Sequence, residues 1–289
     1  MPPGSPTRLG AVGYLNARPL VFGLGVSSRF DLRFDVPSRC ADLLHDGAID
    51  LGLIPSIEYW RAPVVSGSVG SGAPDRGRYL AAPGLAIASR GPVASVCLYA
   101  RRPIPDVRSI AMDTSSRTSA ALVRVLCSRQ FGIQPRFEPH GPNLDAMLAR
   151  CDAALLIGDN ALFDAKERAG VQRIDLGEAW TTMTGLPFVW AFWAGREDAL
   201  NPGDVHALQR ARDEGLRHMD EIAGEHCPGA PERQAIAATY LRDNIRYTFG
   251  PDERAGLALF YRYASEAGLV EAVDDVRFYT DSGLEPGQR

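Results

Sequence analysis

Residues 110–126 read IAMDTSSRTSAALVRVL, and the fold is read outward from them. The apolar run Ile110-Ala111-Met112 gives way at Asp113 to small hydroxyl residues: Thr114, Ser115, Ser116, Thr118 and Ser119. Beyond Arg117, apolar residues recur at helical spacing through Leu122, Val123 and Leu126. The pattern predicts a strand, a tight turn and a helix. The first backbone N–H groups of a helix lack partners within it and the dipole is positive there, so such a turn suits a carboxylate or phosphate. One Ser would be accounted for as a helix cap. Five hydroxyls within residues 114–119 point further, to an anion site.

The same unit recurs on either side. Residues 9–12 predict a short strand running into GYLNARPL, with Asn16 at the turn and Pro19 near the first helical position. Residues 32–36 predict a second strand, with Ser38 as N-cap of a helix over 40–46. Residues 48–55 form a buried strand turned by Ser56, and residues 153–157 another, turned by Gly158-Asp159-Asn160 into a helix over 161–168. Further strands are expected at 85–89, 94–99, 135–138 and 188–194, with a helix at 144–150 and a loop at 180–185. A Gly/Ser/Pro loop is expected over 62–77; its GSVGSG follows no strand and opens no helix, so it is no dinucleotide motif. From Asp204 the chain reads as helical, over 205–223, 231–248 and 252–267.

Units spaced this closely predict parallel strands with crossover helices, whose ligands bind at the carboxyl ends of strands. The turns at Asn16, Ser38, Ser56, Ser115 and Gly158 are therefore the candidate site. The very apolar strands near Val96 and Trp190 are candidate crossings between two lobes, residues 1–97 with 191–289 and residues 98–190, with the site in the cleft between.

Bulk properties narrow the function. A chain of 289 residues accommodates one large domain or two ordinary ones. The net charge of −4, with no basic stripe, argues against nucleic acid, whereas a small anion responds only to local charge. Lys166, inside DAKERAG, is the only lysine, which disfavours Schiff-base or pyridoxal chemistry. Cys40, Cys97, Cys127, Cys151 and Cys227 are odd in number with no CxxC pair, and read as reduced and buried. The histidines show no HxH or HExxH spacing, so no metal site is expected. No stretch has signal-peptide character or bilayer-spanning length, so a cytoplasmic protein without membrane contacts is expected.

Seven segments carry a resemblance. GYLNARPL from Gly13, VPSRCADLL from Val36, DLGLIPSIEY from Asp50, LAIASRGPVASV from Leu85, DTSSRTSAALV from Asp113, LLIGDNAL from Leu155 and DLGEAWTTMTGLPFVWAFWAGR from Asp175 resemble the chorismate dehydratase family of the futalosine route to menaquinone. Together they span nearly the whole chain in the expected order. The related dihydroxynaphthoate synthases carry an isoleucine-histidine-glutamate turn where this chain has Ile157-Gly158-Asp159, so the chain sides with the dehydratases.

The resemblance implies a two-lobed α/β fold of the type II periplasmic-binding-protein kind, with mixed, mostly parallel sheets flanked by helices and a helical C-terminal region. It implies chorismate as the small-molecule partner: loss of the ring C3 proton and the C4 hydroxyl gives aromatic 3-(1-carboxyvinyloxy)benzoate and water. Aromatisation drives the step, so no cofactor is implied. Asn16 is carried over as catalytic; its amide is no strong base, so it is read as orienting the hydroxyl or a proton acceptor such as the substrate's own carboxylate. Expected substrate contacts are Tyr14 in the first turn, Ser38 and Arg39 in the second, and Pro55 and Ser56 in the third. Ser89 and Gly91 are expected at the crossing, Thr114, Ser115, Ser116 and Thr118 in the hydroxyl turn, Gly158 and Asp159 in the last turn, and Phe188 in the wall or the core behind it. Arg39 or Arg117 is expected to meet a carboxylate, Asp113 to hold its turn, and His140 to be the spare candidate for a base. The competing class is a binding module of the same fold that captures a small anion without converting it.

Overall fold

The computed structural model describes residues 5–61, 79–164, 169–271 and 274–279. In chain order the strands are β1 (Thr7–Val12), β2 (Phe30–Asp35), β3 (Leu51–Pro55), β4 (Tyr79–Ser89), β5 (Val96–Ala100), β6 (Ser109–Asp113), β7 (Arg136–His140), β8 (Ala153–Ile157), β9 (Gln172–Asp175) and β10 (Phe188–Arg196). The α-helices are α1 (Pro37–His45), α2 (Arg117–Arg129), α3 (Leu144–Arg150), α4 (Leu176–Thr184), α5 (Pro202–Arg217), α6 (Met219–His226), α7 (Pro231–Thr239) and α8 (Pro251–Glu266).

Two five-stranded sheets form, in the orders β2-β1-β3-β10-β4 and β7-β6-β8-β5-β9. β1 pairs in parallel with β2 and β3, and β10 runs antiparallel between β3 and β4. The second sheet repeats the plan: β6 is parallel to β7 and β8, and β5 is antiparallel to β8 and β9. In each sheet the reversed strand is the one by which the chain enters from the other sheet. β5 and β10 are the two apolar strands singled out as crossings. Each lies wholly in one sheet, so the chain crosses within residues 90–95 and again between β9 and β10. Boundaries at 97/98 and 190/191 fall inside those strands.

The helices of the structure differ from those read from the sequence in several places. α1 begins at Pro37, with Val36 as N-cap and no side-chain cap, so Ser38 lies inside its first turn. Proline needs no N–H partner at a helix start, which lets the helix open before Ser38. Residues 180–185 are not a loop: α4 covers most of them, because Asp175 caps it by accepting from the Gly177 and Glu178 N–H groups, and buried Trp180 anchors it. Tertiary burial here overrides the weak propensity of TTMTG. The long helix at 205–223 breaks at His218, and the one at 231–248 ends in a π-helical turn, Tyr240–Asn244. After β8, residues Asn160–Asp164 form another π-helical turn; the rest of the helix expected to 168, Lys166 included, lies outside the described residues, as does the loop at 62–77.

One hydrophobic cluster runs through both sheets, and a smaller one lies under α3. Trp180, Phe188, Trp190 and Phe260 meet ring to ring between α4, β10 and α8. α8 and α2 thus approach each other over the second crossing. Among the described residues no helix is long and apolar enough to cross a membrane.

Candidate active site

A cleft lies between the sheets at the carboxyl ends of β1, β3 and β8. Val12, Pro55, Ile87, Trp190 and Ala191 line it from the first sheet, and Val96 and Ile157 from the second. Polar groups enter from the turns: Tyr14 and Asn16 after β1, Ser95 in the first crossing, and Ser116 and Ser119 at the start of α2. Among the described residues no charged side chain lines it. An anion here meets neutral donors and a helix start rather than a counter-ion.

Each polar group is held by its fold element. Ser116 is the N-cap of α2 and accepts from the Ser119 N–H; the two hydroxyls lie 2.9 Å apart. Ser95 is buried, with its hydroxyl 2.7 Å from that of Tyr240 in the π-helical turn. Its neighbour Ala94 holds a left-handed φ of 62°, strained for a residue with a Cβ. Asp175 sustains that strain by accepting from the Val93 and Ala94 N–H groups at 3.0 and 2.6 Å. The oxygen Oδ1 of Asn16 is buried without a hydrogen-bond partner. A bare amide oxygen in a closed site is costly unless a ligand supplies the donor.

The two sides are tied together around the cleft. The Ser38 N–H donates to the Ser115 carbonyl at 3.1 Å, and the Ile57 N–H to the Thr118 hydroxyl at 3.2 Å. The Leu15 N–H donates to Asp159 Oδ1 at 3.2 Å, and His226 Nε2 lies 2.8 Å from Asp159 Oδ2. Arg117 reaches from α2 to Glu58 and Asp42, both at 2.8 Å. Burial pushes the Glu58 carboxyl upward, but His45, Arg117 and Arg61 outweigh it and hold it below the usual range. At Asp113 burial wins instead, and the carboxyl is held above the usual range against its bonds from Ser115.

Of the residues expected at the site, Tyr14, Asn16, Pro55, Ser116 and Gly158 line the cleft. Ser56 and Thr118 are buried behind it, where the Ser56 hydroxyl donates to the Val189 carbonyl. Ser89 supports the wall: its buried oxygen accepts from the Trp190 indole N–H at 3.0 Å. Gly91 donates to the Thr181 hydroxyl in the crossing, and Phe188 is wholly buried in the ring cluster. Ser38, Ser115 and Asp159 serve the ties just described, and Thr114 is exposed on the turn. Arg117 is engaged by two carboxylates, Asp42 and Glu58, and does not line the cleft. His140 ends the edge strand β7, with its ring 2.8 Å from the Gly141 carbonyl, away from the cleft. Arg39 is exposed on α1 and does not line the cleft. Arg39→Ala is therefore expected to leave product affinity within about twofold of the parent, as for surface changes generally. A tenfold loss in a calorimetric titration would return Arg39 to the site.

Sequence reasoning missed Ser95, Trp190 and Tyr240, and counted Ser119 in the anion turn without placing it among the substrate contacts. Ser119 belongs to the hydroxyl turn and repeats at i+3 from Ser116, a signal that was available. Ser95 and Tyr240 meet across 145 residues and left no local pattern.

Comparison with known proteins places this architecture. Solved structures share the fold: a protein of Archaeoglobus fulgidus superposes with a TM-score of 0.68 at 15% identity, covering 93% of this chain and 100% of that one. The alkanesulfonate-binding protein SsuA of Xanthomonas axonopodis pv. citri gives 0.56 at 15% identity, covering 93% and 95%. A Candida albicans protein with the generic periplasmic binding protein fold gives 0.55 at 12% identity, covering 94% and 92%. In sequence, the chain is 31% identical over 271 residues to a chorismate dehydratase of Thermus thermophilus, covering 88% of this chain and 94% of that one. The family model described as menaquinone biosynthesis matches residues 7–266, and the chain belongs to that family.

Proposed function

We propose that the chain is a chorismate dehydratase, a hydro-lyase that forms 3-(1-carboxyvinyloxy)benzoate and water for menaquinone synthesis. The observation that carries the reading is Asn16: its amide oxygen is buried without a partner in a cleft lined by hydroxyls, in a chain 31% identical to a chorismate dehydratase. The substrate is a dianion. The start of α2, with the Ser116 and Ser119 hydroxyls, supplies neutral donors for one carboxylate. The apolar walls from β3, β4 and β10 suit the ring and exclude water as the lobes close.

The work left to the protein is positioning and electrostatics. The C3 proton and the C4 hydroxyl leave together as water, and the ring becomes aromatic. The Asn16 amide offers an N–H donor and a bare acceptor oxygen, enough to orient the hydroxyl beside the group that takes the proton. The two lobes, joined by the crossings at residues 90–95 and between β9 and β10, open to admit the ligand and close through the ties around the cleft.

The test is turnover. The purified protein is expected to convert a large excess of chorismate, with the benzoate product identified by chromatography and mass. Stoichiometric binding without conversion would replace the enzyme with an anion-binding module.

A further inference from the structure

Asp113 is a buried carboxyl that the reading above does not use. It ends β6, is 1% exposed, and has one oxygen, Oδ2, buried without a partner. The other, Oδ1, receives two donors from Ser115: the backbone N–H at 2.9 Å and the hydroxyl at 2.6 Å. The Ser115 oxygen in turn receives the Tyr14 hydroxyl at 3.2 Å, across the two sides of the cleft.

The direction of this chain follows from its first link. A backbone N–H can only donate, so Oδ1 is an acceptor whether or not the carboxyl carries a proton, which would sit on Oδ2. The single Ser115 proton is therefore committed to Asp113, and the Tyr14 proton to Ser115. The phenol oxygen is left with lone pairs only. The ring that carries it cannot swing aside, because it lies against the backbone of Gly158, where a Cβ would come within 2.9 Å of it.

We propose that Asp113 is a positioning residue which, through Ser115, fixes Tyr14 as a hydrogen-bond acceptor for the ring hydroxyl of the substrate. The proposal rests on the chorismate dehydratase reading and adds to it a means of telling substrate from product. Chorismate carries that hydroxyl; the benzoate has lost it as water. The contact with Tyr14 exists before the reaction and not after it, so it favours the substrate and leaves product release unopposed. Because Tyr14 follows β1 and Asp113 ends β6, the chain is complete only when the two sides of the cleft meet.

The experiment compares two ligands on the same samples. Tyr14→Phe is expected to lower kcat/KM for chorismate about tenfold, the scale of one lost buried hydrogen bond, while the Kd for the benzoate stays within about twofold. Ser115→Ala frees the Tyr14 proton and is expected to act in the same direction, and the double variant no more than the worse single one. Asp113→Leu should reproduce the loss, and Asp113→Asn, which keeps an acceptor oxygen, should recover most of it. Equal losses for chorismate and benzoate would overturn the proposal, since the chain would then only hold the lobes together; so would unchanged kcat/KM in Tyr14→Phe. The parent protein is assayed alongside. If the parent itself leaves chorismate unchanged, the dehydratase reading fails first, and the proposal with it.

Discussion

Asn16→Asp is expected to lower chorismate turnover by at least about a hundredfold, the scale of removing one preorganised donor from an active site. The substitution keeps the shape and exchanges an N–H donor for a second oxygen. That oxygen enters a cleft that no cation among the described residues lines. It also stands near Asp159, bonded to the preceding residue's N–H, and faces a substrate that is already a dianion. Benzoate affinity should fall less than turnover, because the α2 start and the hydroxyls remain. Thermal melting supplies the folding control, since a buried carboxylate without a partner is itself costly. Turnover within a few-fold of the parent would make Asn16 a turn residue and leave the site without its central group.

Much of the architecture was legible because it rests on local pattern. The strand at 153–157 and the helix at 144–150 were bounded to the residue, since apolar runs and the Asn143 cap carry that information locally. The turns after β1, β6 and β8 were legible as well, because strand-to-helix turns at carboxyl ends follow from topology. Where each side chain lies relative to the cleft needed three-dimensional information. Arg39 and Arg117 both looked like free cations at helix starts. Only the fold shows Arg117 drawn to Glu58 and Asp42 across the cleft, and Arg39 turned outward. Phe188, read as wall or core, is core, while Trp190, two residues on, is the wall. Residues two apart share a face of a regular strand, so alternation does not separate them; β10 has a register shift between Val189 and Ala191 that no local pattern announces. The Ser95–Tyr240 contact joins a crossing to a π-helical turn and has no sequence signature.

Gly158→Ala tests how far the site depends on one backbone position, and is expected to lower turnover by about a hundredfold, the cost of misplacing reacting groups by about an ångström. Gly158 has φ +64°, where a residue with a Cβ is strained by about 1–2 kcal/mol. The added Cβ would also lie 2.9–3.0 Å from three carbons of the Tyr14 ring. That ring cannot retreat freely, for its hydroxyl is bonded to Ser115 and its backbone leads directly into Leu15, tied to Asp159, and Asn16. Displacing it moves the two polar groups that enter the cleft after β1. Gly132 separates the two effects: it has the same φ of +64°, yet nothing lies within 4 Å of its added Cβ. Gly132→Ala should therefore share the loss in melting temperature and keep parental turnover. Gly158→Ala should lose both. If the two variants melt alike and turn over alike, contact between Gly158 and Tyr14 does not position the site, and the turn after β8 is only a connection.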